Sequence, residues 1–151
     1  MPPPSAALTT SASAPTVQPR SSLCKLIRAF FPRCSRTLML FFTGAAHHSW
    51  DILADQEEAT RLPAGPAVEA LHQVKNTAAL MKEALLCGDL ERFGHLLDDA
   101  WQAKKRVSHR ISSPRIDGLY QAAREQGALG GKITGAGGGG FLLLYCEPTC
   151  H

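Results

Sequence analysis

The chain of 151 residues predicts an α+β fold in which helices pack on one face of an antiparallel sheet. Three observations lead there. Two short apolar runs, Leu38-Met39-Leu40-Phe41-Phe42 and Phe141-Leu142-Leu143-Leu144-Tyr145, have the length and composition of strands. Between them lie segments whose apolar residues recur every three or four positions, the period of helices buried on one side. Seven of the thirteen glycines fall between positions 130 and 140, joining two strand-like segments at the C-terminal end.

The elements follow in order. Residues 1–22 contain seventeen Pro, Ser, Ala or Thr residues, too little bulky apolar surface to offset the entropy of ordering them. The continuation to Arg36 is basic and partly amphipathic through Leu23, Leu26, Ile27, Phe30 and Phe31, so 1–36 reads either as a dispensable leader or as a transit-like segment. The folded domain is expected over 37–151. It opens with a short buried strand at Leu38–Phe42, stopped by Thr43-Gly44. Ser49 can cap a helix from Trp50 to about Ala59, with Asp51 complementing its dipole. Pro63, Gly65 and Pro66 interrupt the chain, and a helix follows with Leu71, Val74, Ala78, Met81 and Leu85 on its inner face. Gly88 ends it and Asp89 caps the next, whose inner face is Leu90, Phe93, Leu97 and Ala100, with Lys104 past the buried region. Ser113-Pro114 starts another helix, with Ile116, Leu119, Tyr120 and Ala123 inward and Gly127 at its end. Ala128–Thr134 is a strand, 135–140 a glycine loop, and Phe141–Cys146 a second strand.

Charge and cysteine usage exclude several classes. Residues 1–50 hold Arg20, Lys25, Arg28, Arg33 and Arg36 and no acid, a charge of +5, whereas 51–151 carry eleven bases and thirteen acids, a charge of −2. A near-neutral globular part argues against a nucleic-acid surface. Cys24, Cys34, Cys87, Cys146 and Cys150 are odd in number and contain no CxxC pair, so neither a disulfide framework nor a zinc site is expected, the cluster Cys146, Cys150 and His151 included. Reduced thiols point to a cytoplasmic protein. No apolar run approaches the roughly 18–20 residues of a membrane span.

The glycine run asks for an explanation. A glycine held in an ordered element costs about 0.5–1 kcal/mol relative to alanine, and a simple strand-connecting turn needs only one or two. Successive glycines ahead of a buried strand fit a loop approached closely by another backbone or by an anion. Gly135-x-Gly137-x-x-Gly140 spells the dinucleotide fingerprint, but a strand follows where that motif requires a helix. Gly131-Lys132 is followed by Ile133 rather than Ser or Thr, so a P-loop is not spelled either. Lys132 taken alone is a solvated or locally paired charge or a phosphate ligand.

The segment 111–145, ISSPRIDGLYQAAREQGALGGKITGAGGGGFLLLY, closely resembles the third signature of the GHMP kinases, the family of galactokinase, homoserine kinase and mevalonate kinase. Its spelling, with LFFTG upstream and AWQAKKRVSHRIS between, is most similar to the branch that phosphorylates heptose 7-phosphate. The resemblance runs from about Leu38 to Pro148. It implies the C-terminal domain of an ATP-dependent sugar kinase, a partial ferredoxin-like sheet, and a glycine loop bordering the active-site cleft. The matching positions, near the ATP phosphates and the acceptor, are Lys132, Thr134, Gly135, Ala136, Gly137, Gly138, Gly139 and Gly140, with Thr43 and Gly44 in the TG turn on the acceptor side. ATP and Mg2+ are the cofactors so implied, and a sugar or sugar phosphate the substrate.

The family's nucleotide-binding signature, PxxxGLGSSA, does not occur in these residues. The catalytic N-terminal half is therefore expected to be missing, the domain to be truncated after Pro148, no catalytic or metal-binding residue to lie in this chain, and the isolated chain to be inactive. Its partners would be the missing half or another chain completing the sheet. The alternative is a non-catalytic binding module or a remnant fragment. His47 and His48 could contact a sugar phosphate or be ordinary polar surface. Lys104, Lys105, Arg106, His109 and Arg110 form a basic run that reads more simply as a solvated helix end, and Asp117 as an acid in a first helical turn.

Overall fold

The computed structural model describes residues 35–44 and 49–148. The expectations for residues 1–34 of the leader, for His47 and His48 and for Cys150 and His151 concern residues outside that range. Within it, the elements are β1 (Leu38–Phe42), α1 (Ser49–Ala59), α2 (Pro66–Cys87), α3 (Leu90–Lys105), α4 (Pro114–Glu125), β2 (Ala128–Ile133) and β3 (Phe141–Cys146). The strands form an antiparallel sheet in the order β1-β3-β2, packed against the helices, which is the α+β class expected.

Local chemistry sets the boundaries. Gly65 precedes Pro66 at the start of α2, where the missing proline N–H has no helical partner to lose. Gly88 closes that helix in the left-handed region at φ 76°, a conformation that favours glycine. Asp89 caps α3 by accepting from the Arg92 amide at 3.0 Å, and Ser113 caps α4 by accepting from the Ile116 amide at 3.3 Å. β3 lies in the middle because it is apolar along its length, and its alternate residues divide between two clusters. Leu142, Leu144 and Cys146 join Ile133, Ile52, Trp101, Ile111, Ile116 and Tyr120, while Tyr145 joins Leu90 and Leu97.

Four expectations change. β1 is a strand but not a buried one: Leu40, Phe41 and Phe42 are exposed at the sheet margin. A run of five apolar residues looks alike in the centre and at the edge of a sheet, and only the topology separates the two. In α2 the buried residues are Ala67, Ala70 and Ala84, with Val74, Met81 and Leu85 half-buried, while Leu71 and Ala78 face outward. The small alanines seat this helix against its neighbours, so the face turns away from the leucine that a hydrophobicity pattern favours. In α4, Ile116 and Tyr120 are buried and Ala123 is half-buried as expected, but Leu119 is exposed. Finally, Lys104 is not past the buried region. It is half-buried at the end of the inner face of α3.

Candidate functional site

The ten sequence-marked residues come together at one end of the sheet. Thr43 ends β1 and binds the last glycine of the loop twice, its amide at 2.8 Å and its hydroxyl at 2.9 Å from the Gly140 carbonyl. The loop itself is closed by the Thr134 amide donating to the Phe141 carbonyl at 2.9 Å. Within it Gly135, Gly137, Gly138 and Gly140 have φ of 77°, 115°, 74° and 84°, all in the left-handed region. A side chain at Gly137 would also stand 2.8 Å from the Ile111 carbonyl oxygen. The backbone of 111 approaches that closely because the Gly138 amide donates to the same carbonyl at 2.8 Å.

Two further side chains hold the loop. Gln56 Nε2 of α1 donates to the Ala136 carbonyl at 3.1 Å, and Lys104 Nζ of α3 donates to the Gly135 carbonyl. The loop is thus tied to β1, α1, α3 and the segment before α4, and its shape is set by the fold rather than by the glycines. With the loop carbonyls of residues 135, 136 and 140 turned toward these partners, no hydrogen bond to another described residue takes up the amides of Gly137, Gly139 and Gly140.

The electrostatics are cationic. Burial, and then the neighbouring charge of Lys132, hold the Lys104 ammonium below the ordinary lysine value. Two ammonium groups close enough to repel one another are stabilised by an anion between or beside them. On the other flank Gly44, at φ 77°, leaves room for the Arg115 guanidinium, which would lie 2.8 Å from any β-carbon there. The donors suit a phosphate group. They do not suit a magnesium ion, and no group of three or more His, Cys, Asp or Glu side chains that could hold a metal occurs among the described residues.

Lys104, Gln56 and Arg115 are the residues that sequence reasoning missed. For Lys104 a signal existed, since it extends the three-and-four spacing of Leu97, Trp101 and their neighbours and so had to point at the sheet. The rest of the basic run disperses. Lys105 pairs with Asp117 at 3.1 Å, Arg106 reaches Gln73, and Arg110 lies 3.7 Å from Asp55. Asp117 also accepts from the Ser112 hydroxyl at 2.9 Å. Lys105, Arg106, Gln73, Ser112 and Asp117 border a separate cleft of about 910 Å³ between α2, α3 and the start of α4, in which none of the glycine-loop residues takes part.

A glycine loop of this geometry occurs in a chain whose residues 65–149, more than half of its length, match the family model described as GHMP kinases C terminal. The chain belongs to that family. As a GHMP kinase C-terminal chain it is 33% identical over 111 residues to D-glycero-alpha-D-manno-heptose 7-phosphate kinase of Campylobacter jejuni, covering 74% of this chain and 32% of that protein. It is 34% identical over 97 residues to galactokinase of Streptomyces coelicolor, covering 64% of this chain and 24% of the relative. Among solved structures, L. major mevalonate kinase superposes with a TM-score of 0.66 at 24% identity, over 72% of this chain and 33% of the other. Lactococcus lactis galactokinase superposes with a TM-score of 0.54 at 20% identity, over 75% and 38%. Both superpositions share the fold. The GHMP chain spans about a third or less of the length of these two relatives.

Proposed function

We propose that the chain supplies the phosphate-side wall of an ATP-dependent sugar kinase, with a heptose phosphate or a similar phosphorylated sugar as acceptor. The observation that carries this reading is the glycine loop, pinned from four elements, with Lys104 and Lys132 beside it. Phosphoryl transfer is catalysed mainly by positioning and by stabilising charge on the transferring group. Amides of Gly137, Gly139 and Gly140 held in fixed directions, with two ammonium groups, would do both for phosphate oxygens, and each charge-assisted hydrogen bond is worth about 1.5–3 kcal/mol. Thr43 and Gly44 would face the acceptor, with Arg115 available to a phosphate on it. ATP supplies the phosphoryl group and Mg2+ the charge neutralisation when bound; the residues of this chain orient and neutralise, and no metal-binding or base role is assigned to them.

Similarity to the heptose 7-phosphate kinase over 74% of the chain supports the substrate class. The partner in this reading is the nucleotide-binding half of such a kinase. The test is a titration of the 151-residue chain with ATP and, separately, with inorganic phosphate, followed by amide NMR. Shifts confined to 132–140 and 43–44, lost in Lys104→Met, are expected; shifts elsewhere or none would overturn the assignment. Mixed with the N-terminal half of the Campylobacter jejuni relative, the chain should restore ATP-dependent phosphorylation of heptose 7-phosphate. A second reading, a module that binds another chain without catalysis, draws on the open margin of β1.

A further inference from the structure

Each backbone group of the glycine loop that has a partner fixes one peptide plane. Lys104 holds the 135–136 plane by its carbonyl, Gln56 the 136–137 plane and Thr43 the 140–141 plane, while the Ile111 carbonyl holds the 137–138 plane by its amide. The C=O and N–H of one trans peptide point in opposite directions. Gln56 Nε2, drawing the Ala136 carbonyl to α1 at 3.1 Å, therefore turns the Gly137 amide away from α1. Of the three loop amides that no described residue takes up, that of Gly137 alone lies in a plane held by a side chain.

That plane can turn over. Rotating it by half a turn changes ψ of Ala136 and φ of Gly137 and little else, and glycine accepts either sign of φ, the present value being 115°. The reversed plane would put a carbonyl oxygen where an anion meets an N–H.

The surroundings of Gln56 keep it in place. Ile52 buries α1 in the core, and the Ala136 side chain packs on the same cluster. Asp55, the residue before Gln56, accepts from the Ser108 hydroxyl and lies 3.7 Å from the Arg110 guanidinium. Both belong to the stretch that ends at Ile111, whose carbonyl takes the Gly138 amide. Two consecutive residues of α1 thus grip the loop and the backbone on which it rests.

We propose that Gln56 is a positioning residue for anion binding, a latch that keeps the Gly137 amide aimed at a phosphate oxygen by preventing reversal of the 136–137 peptide. The inference rests on the phosphate-side reading of the loop and adds to it a residue that acts through the backbone, touching neither phosphate nor sugar.

Sulfate is the probe, a tetrahedral dianion whose charge stays constant over the range in which carboxylic acids titrate. Titrated into the 151-residue chain and followed at the Gly137 amide by NMR, it should bind roughly tenfold or more weakly to Gln56→Glu at pH 7, because a carboxylate repels the Ala136 carbonyl. Acidification toward pH ~4.5 turns that carboxylate into an O–H donor, so binding should return toward that of the unsubstituted chain. Lys104 and Lys132 can only gain protons on acidification and Asp55 is common to both chains, so the comparison at each pH isolates position 56. Gln56→Met, with no donor at any pH, should stay weak throughout. Recovery in acid is a readout that a folding defect would not give. In the unsubstituted chain, saturating sulfate should slow hydrogen exchange of the Gln56 side-chain amide several-fold, since anion and latch favour the same plane. Unimpaired binding by Gln56→Glu at pH 7, a loss that acidification does not reverse, or side-chain exchange indifferent to sulfate would each overturn the latch and leave the phosphate reading standing. Failure of the unsubstituted chain to bind sulfate at the loop would overturn both.

Discussion

Gly130 and Gly118 show how differently two glycines can be used. A β-carbon at Gly130 would lie 2.0 Å from the Gly94 carbonyl oxygen and 2.8 Å from the Asp98 amide, because β2 and α3 meet backbone to backbone there. A β-carbon at Gly118, within α4, meets nothing within 4 Å. Gly130→Ala should therefore destabilise by about 1–3 kcal/mol or more, and Gly118→Ala should stabilise by about 0.5–1 kcal/mol. Urea unfolding of the two variants reads both. Tyr120 gives a prediction in pH. Burial, followed by the hydrogen bond to Asp98 and that carboxylate's charge, pushes its phenol well above its ordinary value. A folded value above the unfolded one means that the contribution is fully present below pH ~10 and is lost as pH rises beyond it. Tyr120→Phe should lower stability at pH 7 by about 1–3 kcal/mol and flatten the alkaline decline, measured as urea midpoints between pH 8 and 11.

At the scale of elements, the caps are separable from the packing. Ser113 both precedes Pro114 and accepts from the Ile116 amide at 3.3 Å, so Ser113→Ala should cost about 1 kcal/mol, with Ser113→Asp recovering most of it; thermal unfolding of the pair checks this. The caps and the glycine loop were legible in the sequence because each depends on neighbours within a few positions. That is why Leu38–Phe42 and Phe141–Cys146 emerged with the bounds the structure has. What depends on distant partners was not legible. The inner face of α2 turned on which helix its alanines meet, and the exposure of β1 on its place in the sheet. The role of Gln56, eighty positions from the carbonyl it binds, had no local signature at all. Of the site, the sequence carried the loop and the TG turn, but not the lysine and glutamine that hold the loop in shape.

On the scale of the whole molecule, membership of the GHMP kinase C-terminal family accounts for the fold, and the chain spans about a third of the length of the heptose 7-phosphate kinase to which it is similar. No helix among the described residues is long and apolar enough to cross a membrane. The ties of β1 to β3 and of the loop to α1 and α3 meet around the glycine loop, so damage there should loosen this end of the molecule.

The pairing of Leu38 with Tyr145 has a consequence in time. β2 and β3 are joined by a loop of a few residues and α2 and α3 by a single turn, so both hairpins can form from local contacts, whereas β1 must close more than a hundred residues to reach its place. Closure entropy grows as about (3/2)RT ln n, and contacts of such separation form late. Docking of β1 is thus expected to be the last step of assembly. Truncating a β1 side chain, as in Met39→Ala, should speed unfolding and leave the folding rate nearly unchanged, while Leu144→Ala in the hairpin should slow folding, a contrast that stopped-flow kinetics would resolve.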